Sequence, residues 1–470
     1  MNGPLRIGLG LAAAILASGG CRVHREPVGV DASFDAGDEA GDEEAASPQD
    51  SQLFELVGAP LVFAVTSHGF GLNVVLRSGA PSLVTARVRL SGGTDWIDLG
   101  PPDSPAADIA QWTVDGLAAG QSYGYEVDAN GDAGPQMLYA GSAVTARDPG
   151  APFTFAVIAD THIPPDDPLP QGTEVDDYME GTLIQTTGQL VASNPDFIVN
   201  LGDILDFHMF GFNAPPPDSS WTRLAYLNYR RTLGDVLGHT GHFPVIGNWD
   251  GENGCNTIDE IDRSRSQRLL YLPGPQPDTY PQGGSQYEDY YAFTWGDALF
   301  VVLNVMTYTP TCHLLNEGDA GRPDDWTLGQ AQLDWLTQTL AAATSKWRFL
   351  FIHHTDGGKA GDYNDSAYGR GGGQAAHVGE QAAIHELMLT YGVQIFFYGH
   401  DHVFTDMVVD GIHYTLPGSA GAPWKFDESE TGYTQYWPDS GYGRVSVSPD
   451  SVEVDFVNVN GQVLDSYSLP

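Results

Sequence analysis

The sequence predicts an α/β fold preceded by a small all-β sandwich. Three observations predict it. Between residues 153 and 398, apolar runs of strand length alternate with longer helical patterns, as in βαβ units built on a parallel sheet. Between 56 and 148 the pattern is short strands separated by Gly, Pro and other turn residues. Five of the later apolar runs end at Asp, His or Asn, which is where open α/β sheets gather their ligands.

At 470 residues the chain exceeds one compact domain, and with 41% hydrophobic residues it can bury a sizeable core. Its charge is lopsided: 61 acidic against 20 basic residues, a formal net charge of −41. Such a surface repels nucleic acid and anionic membranes, which argues against a binder of phosphate backbones. An acidic protein that handles anions needs local positive charge, and bound cations are the obvious source.

Residues 1–21 have the layout of a secretory signal. Arg6 precedes the small and apolar run Ile7 to Ala17, too short to span a bilayer, which ends at Ser18-Gly19-Gly20-Cys21. Small residues before Cys21 resemble the lipobox of bacterial lipoproteins, with Ser18 where Leu is usual. That resemblance implies an exported protein, lipid-anchored through Cys21 at a bacterial cell envelope. The alternative is an ordinary cleaved signal and a periplasmic or secreted protein. Residues 22–55 carry Asp31, Asp35, Asp38, Glu39, Asp42, Glu43 and Glu44 among small residues, and read as a disordered acidic tether.

In 56–148 the clearest strands are Leu61–Val65, Leu72–Leu76, Leu83–Leu90 and Tyr123–Val127. Val114 to Leu117 with Gly120 and Tyr123-Gly-Tyr125 resembles the end of a fibronectin type III-like domain. It carries no catalytic constellation and reads as a spacer or a wall on the substrate side. In 151–470, strands are expected at 153–159, 196–201, 242–246, 298–304, 347–352 and 394–398, and helices near 177–192, 221–237, 328–342 and 379–390. In the third helix Leu333, Leu336 and Leu340 share one face, away from Gln330, Asp334 and Gln338. Beyond 403 the chain returns to strands. Cys255 and Cys312 are either a disulfide between two loop-rich insertions or two separate thiols.

The ligand-type residues fall in five blocks: Asp160-Thr-His162, Gly202-Asp203-Ile-Leu-Asp206, Gly247-Asn248-Trp249-Asp250, His353-His354 and Gly399-His400-Asp-His402. A donor set of Asp, His and one Asn, without Cys, suits borderline-to-hard metal ions and argues against a structural zinc site.

These blocks, in this order, resemble the calcineurin-like metallophosphoesterases, whose motifs run D-x-H, GD-x-x-D/N, GNH-D/E, H and GH-x-H. The sandwich ahead of them is similar to the purple acid phosphatase-like branch. The resemblance covers roughly 151–460 and implies a four-layer β-sandwich flanked by helices. It implies two metal ions (iron, manganese or zinc), one held by Asp160, His162, Asp203 and His402, the other by Asp203, Asn248, His353 and His400, with Asp203 bridging. Such a pair activates water and clamps phosphoryl oxygens, so the implied activity is hydrolysis of phosphate mono- or diesters without a covalent nucleophile.

Two departures from the family pattern bear on the chemistry. Trp249 stands where the family has the His beside the phosphate, and an indole N–H can donate a hydrogen bond but not a proton at neutral pH. His208, His242, His313, His354 and His377 are the candidate replacement acids, with His354 foremost because it follows the ligand His353. Asp206 occupies the position of the Tyr that colours purple enzymes, so no such absorption is expected; Asp206 orients a ligand or caps the following turn. In the Gly-rich insertion 355–380, Lys359 and Arg370 are either a phosphate clamp or solvated loop charges, and Tyr363, Tyr368 and Trp249 are candidate pocket-rim residues. The competing reading is a surface binding lipoprotein that kept the metal site and lost turnover, with Trp249 as its main support.

Overall fold

The computed structural model describes residues 54–132, 134–164, 177–206, 218–254, 256–308, 327–354, 380–422, 424–425, 433 and 435–470. Cys21, Cys255, Cys312, Lys359, Tyr363, Tyr368, Arg370, His208, His313 and His377, and nearly all of the expected acidic tether, lie outside the described residues.

The N-terminal strands are β1 (Glu55–Leu56), β2 (Leu61–Phe63), β3 (Phe70–Ser78), β4 (Val84–Leu90), β5 (Ile97–Asp98), β6 (Ile109–Val114), β7 (Ser122–Gly131) and β8 (Gly134–Val144). They form two layers. One is the four-stranded sheet β5-β4-β7-β8, whose strands alternate buried and exposed residues. The other, β1, β3, β2 and β6, faces it across a core that includes Leu72, Val74, Val88, Trp112 and Tyr125.

The remaining elements are β9 (Phe153–Ile158), α1 (Asp177–Ser193), β10 (Phe197–Asn200), α2 (Ser219–Leu233), α3 (Asp235–His239), β11 (Gly241–Pro244), α4 (Ile258–Tyr271), β12 (Tyr291–Trp295), β13 (Ala298–Val302), α5 (Gly329–Ala342), β14 (Trp347–Phe351), α6 (Glu380–Tyr391), β15 (Ile395–Phe397), β16 (Phe404–Val409), β17 (Ile412–Pro417), β18 (Gly441–Val447), β19 (Val452–Asn458) and β20 (Val463–Leu469). Two sheets result. One runs β1-β3-β2-β11-β10-β9-β18-β19-β20, the other β12-β13-β14-β15-β17-β16. Strands β9, β10 and β11 are parallel, as are β13, β14, β15 and β17.

The two sheets meet through phenylalanines. Phe243 stacks on Phe293 at 4.0 Å, and Phe155 and Phe197 each stand edge-on to Phe300 at 5.1 Å. The alternate residues of the same strands, Ala156, Ile158 and Ile198, face outward onto Leu183, Leu190, Ala225 and Tyr229 of α1 and α2. On the other sheet Leu299, Val301, Leu350 and Phe396 pack on Leu336, Leu340, Ile384 and Met388 of α5 and α6. The order helix, sheet, sheet, helix is thus dictated by strands that are apolar on both faces. Each fully buried Phe contributes roughly 1.5–3 kcal/mol of transfer free energy, so this double layer is a rigid base for the loops at its edge.

The structure departs from the sequence reading in three places. The helix expected over 221–237 is broken at Gly234, whose φ of 47° no helix accommodates. The helix α4 was not expected from apolar periodicity. The N-terminal sandwich also shares a sheet with the body, because β2 pairs with β11 at His242 and Phe63. A buried arginine reinforces that seam: Arg230 on α2 donates to the carbonyl oxygens of Asn73 (2.7 Å) and Ala59 (3.3 Å).

Candidate metal centre

Each ligand block follows directly from a parallel strand. β9 leads into Asp160 and His162, β10 into Asp203, β11 into Asn248, β14 into His353 and β15 into His400. Because neighbouring strands are in register, their loops emerge level and bond to one another. Asp160 N–H donates to Gly202 O and His162 N–H to Asp203 O, both at 3.0 Å, and Gly399 N–H donates to His353 O at 2.9 Å. Across the sheets, the His400 N–H donates to the Asp160 carboxylate at 3.0 Å.

The side chains form two groups. Asp160, His162, Asp203 and His402 present ligand atoms within 4.8 Å of one another, all buried, and His353, His354 and His400 form a second such group. Asp203 lies between them: its Oδ2 is 3.7 Å from His162 Nε2 and 3.2 Å from His353 Nε2. Asn248 Oδ1 lies 3.0 Å from His353 Nε2. His162 Nε2 and His402 Nε2 are 3.2 Å apart. The separations of 3.0 and 3.2 Å match the edges of a coordination polyhedron, roughly 3.0–3.4 Å for metal–nitrogen bonds of about 2.1 Å. The outer nitrogens are held by carbonyls: His353 Nδ1 by Leu201 O at 2.9 Å and His402 Nδ1 by Trp424 O at 3.2 Å, which fixes the tautomer that leaves Nε2 facing the centre.

Electrostatics point the same way. Burial, with Asp203 adding to it, pushes the Asp160 carboxyl well up, and burial and Asp203 together push Asp250 up to about 7. Burial lowers His162, whereas at His353 burial is outweighed by Asp203 and the imidazole rises to about 9. Buried carboxylates crowded at this density disfavour their own ionisation, and bound cations relieve that. The donor set, its convergence and its unbalanced negative charge therefore fit a pair of metal ions.

The backbone at the centre is strained. Asp160, His162, Asp203, His400 and His402 have φ of 53°, 46°, 49°, 78° and 58°. Side chains other than Gly rarely adopt this region, at a penalty of about 1–3 kcal/mol each, and it persists where surrounding structure over-determines it. Asp250 is part of that surround. Its carboxylate accepts from Ile204 N–H (2.9 Å), Leu205 N–H (3.1 Å) and Gly247 N–H (2.7 Å), tying the Asp203 and Asn248 loops together. Gly247 is required by proximity, since a Cβ there would stand 2.1 Å from Asp203 N.

The remaining predicted residues take definite places. Trp249 is 7% exposed and stands edge-on to His162 at 5.5 Å, while its backbone N–H donates to Asp203 Oδ1 at 2.7 Å. His354 lies flat on His400, with centroids 3.9 Å apart. Asp206 is buried, and its N–H donates to Ile163 O. His242 lies in the core, 2.8 Å from the Tyr229 hydroxyl, and burial pushes it down to about 3. Two residues that sequence reasoning missed also reach the centre. The Trp424 ring packs on His162 and His402 at 4.8 and 4.9 Å. Lys425 follows it, pushed down to about 8 by burial against the pull of Asp160 and Asp439.

Fold and site together define a metallophosphoesterase with a buried, binuclear-type Asp/His centre. Residues 153–404, more than half of the chain, match the calcineurin-like phosphoesterase family, and the chain belongs to that family. Among solved structures it is similar to the purple acid phosphatase PPD1 from seeds of yellow lupin, Lupinus luteus, with a TM-score of 0.64 and 14% identity over 87% of this chain and 74% of that one. It is likewise similar to PhoD, with a TM-score of 0.61 and 14% identity over 88% of each chain. At these identities the likeness speaks for the fold. No curated protein sequence matches the chain.

Proposed function

We propose that this protein hydrolyses phosphate mono- or diesters with two metal ions and is exported, held at a bacterial cell envelope through Cys21. The observation that carries the hydrolase reading is the pair of ligand groups sharing Asp203 at the strand ends. Asp160, His162, Asp203 and His402 would hold one ion, and Asp203, Asn248, His353 and His400 the other. Bound there, the ions supply electrophilic stabilisation of phosphoryl oxygens and a water acidic enough to attack near neutral pH. The chain itself orients these ligands through the Leu201 and Trp424 carbonyls and excludes bulk water with Trp249 and Trp424. Export rests on the signal-like residues 1–21, and the acidic tether would hold the body off the membrane.

Trp249 shapes the expected substrate. With an indole beside His162, protonation of the leaving group has no donor at that place, so rates should fall steeply as leaving groups become more basic. Of the candidate acids among the described residues, His354 stands at the centre, its ring on His400, whereas His242 lies in the core.

The test is elemental analysis together with turnover of a mono- and a diester nitrophenyl phosphate, with and without chelator, on the native chain and on Asp203→Ala. About two metals per chain, with turnover lost to chelator and to the substitution, is the expected result. Metals without turnover favour the binding-protein reading, for which Trp249 is the supporting observation. Trp249→His should then raise rates for poor leaving groups by roughly 10²–10⁴, the usual worth of general-acid help. Absence of metal sinks both readings.

A further inference from the structure

Asp401 stands between His400 and His402 in the loop after β15. Its two neighbours are held directly: His400 N–H donates to the Asp160 carboxylate at 3.0 Å, and His402 Nδ1 lies 3.2 Å from Trp424 O. Asp401 is 1% exposed, yet among the described residues it belongs to neither group of converging ligand atoms. A carboxylate buried this far needs hydrogen-bond donors. Its Oδ2 accepts from the Tyr433 hydroxyl at 2.5 Å, and the Tyr433 oxygen accepts in turn from the Tyr398 hydroxyl at 3.0 Å.

These contacts brace the loop from both sides. Tyr398 leads into it, and Tyr433 comes from the segment between β17 and β18. That segment is stitched to the strand that leaves the loop. Phe404 and Trp437 exchange backbone hydrogen bonds at 3.0 and 2.9 Å, and the Thr405 hydroxyl donates to Gln435 O at 2.7 Å. Both tyrosine rings lie in the apolar layer with Val403, Tyr414 and Leu416. Filling that layer needs rings, not hydroxyls, so a phenylalanine would pack as well. The Tyr433 hydroxyl adds a hydrogen bond to a charge, about twice as strong as a neutral one, and Tyr398 polarises it further. Burial and the Asp401 charge push the Tyr433 phenol well up, so it stays protonated and donating. The loop needs such a hold, since His400 and His402 keep φ of 78° and 58°.

We propose that Tyr433 is a positioning residue of the metal centre: its hydroxyl, backed by Tyr398, fixes Asp401 and through it keeps His400 and His402 in the left-handed backbone that presents both imidazoles. This rests on the reading of the site as a metal centre and adds a residue from outside the five ligand blocks. Tyr433 acts only through Asp401 and touches no ligand atom itself.

Titration of the metal-free full chain with Mn²⁺ and with Zn²⁺ tests it, on wild type, Tyr433→Phe, Asp401→Ala and the double variant, with thermal midpoints measured on each. Each single variant should bind the ions about 10- to 100-fold more weakly, the usual effect of removing a group that orients ligands. Because Tyr433 acts through Asp401, the double variant should be no weaker than Asp401→Ala, whereas independent contributions would multiply. Asp401→Asn keeps an oxygen for the phenol and should bind close to wild type. Visible spectra of the Co²⁺-loaded chain give a second reading: the bands should shift in Tyr433→Phe, which a loss of packing away from the ligands would not cause. Wild-type affinity and bands in Tyr433→Phe overturn the inference, as do effects that multiply in the double variant. A lower thermal midpoint with metal affinity unchanged also overturns it and makes the phenol a packing group. Nitrophenyl ester turnover on the same samples separates the two claims. The metal effects without turnover in wild type remove the hydrolase and leave the brace; turnover with Tyr433→Phe unaffected leaves the hydrolase and removes the brace. A wild type that takes up none of the three ions overturns both.

Discussion

Replacing Asp250 by alanine removes the acceptor of three buried backbone donors, Ile204, Leu205 and Gly247 N–H, at 2.9, 3.1 and 2.7 Å. Each orphaned N–H costs about 1–3 kcal/mol, and water entering the vacated space recovers part of it, so a total of roughly 3–5 kcal/mol is expected. The loss falls on the two loops that carry Asp203 and Asn248, and metal affinity should drop about 10- to 100-fold, the usual effect of removing a group that orients ligands. Asp250→Asn is the control. In its better orientation it still accepts from Ile204 and Leu205 but turns an NH₂ toward Gly247 N–H, so it should lose roughly 1–2 kcal/mol. Thermal denaturation of the metal-free chain, followed by metal titration, reads both quantities. Wild type should exceed Asn, and Asn should exceed Ala, in both. An alanine variant that melts and binds metal like wild type would refute the idea that this carboxylate holds the two loops.

Three further outcomes follow from the packing. Gly247→Ala places a Cβ 2.1 Å from Asp203 N and 2.2 Å from its Oδ1, so the loops must part and the purified variant should carry less than one metal in ten of the wild-type content, read by elemental analysis. Arg268→Met leaves Glu252 buried with Arg265 at 3.3 Å as its remaining ionic partner, and should cost about 3–5 kcal/mol in melting experiments, with much of that restored when Glu252→Gln is added. His242 is held neutral by burial, its value down at about 3, so the unfolded chain binds a proton that the folded chain refuses. Its contribution is intact above the unfolded value of about 6.5 and is lost at about 1.4 kcal/mol per pH unit below it, levelling off near 3. His242→Gln should show a correspondingly shallower fall in melting temperature between those limits.

The fold and the ligand groups were legible for one reason. Strands buried on both faces write continuous apolar runs, and the candidate ligands stand directly after them, so Asp160, Asp203, Asn248, His353 and His400 can be picked out by position. What was not legible follows from the same logic. Helix α4 buries Ser264, Arg265 and Arg268 between Ile261 and Tyr271, the arginines pairing with Glu252, so its inner face shows no continuous apolar stripe; only the capping box of Thr257 and Glu260 marks its start in sequence. The joining of the N-terminal strands to the sheet of the body at His242 and Phe63 leaves no periodicity to read. Trp424 and Lys425 follow a run of small residues, and nothing in a Pro-Trp-Lys sequence says that Gly421 will lie against Thr161. The sequence did show His354 beside His353, but not that its ring would lie on His400 at 3.9 Å rather than point elsewhere.

The strained φ values are the deepest case. Local preference argues against left-handed Asp and His, yet Asp160, His162, Asp203, His400 and His402 all adopt it, each held by neighbours distant in sequence. The carboxylate of Asp160 meets the N–H of His400 across 240 residues, and the Asp160 carbonyl is gripped by Ser419 across 259. Residue type and spacing reveal which side chains can bind a metal. Only the assembled sheets reveal what forces those side chains to face one point, and that is why Asp250, Gly247 and Trp424, none of them assigned a metal in its own right, are expected to control metal binding as strongly as a ligand does.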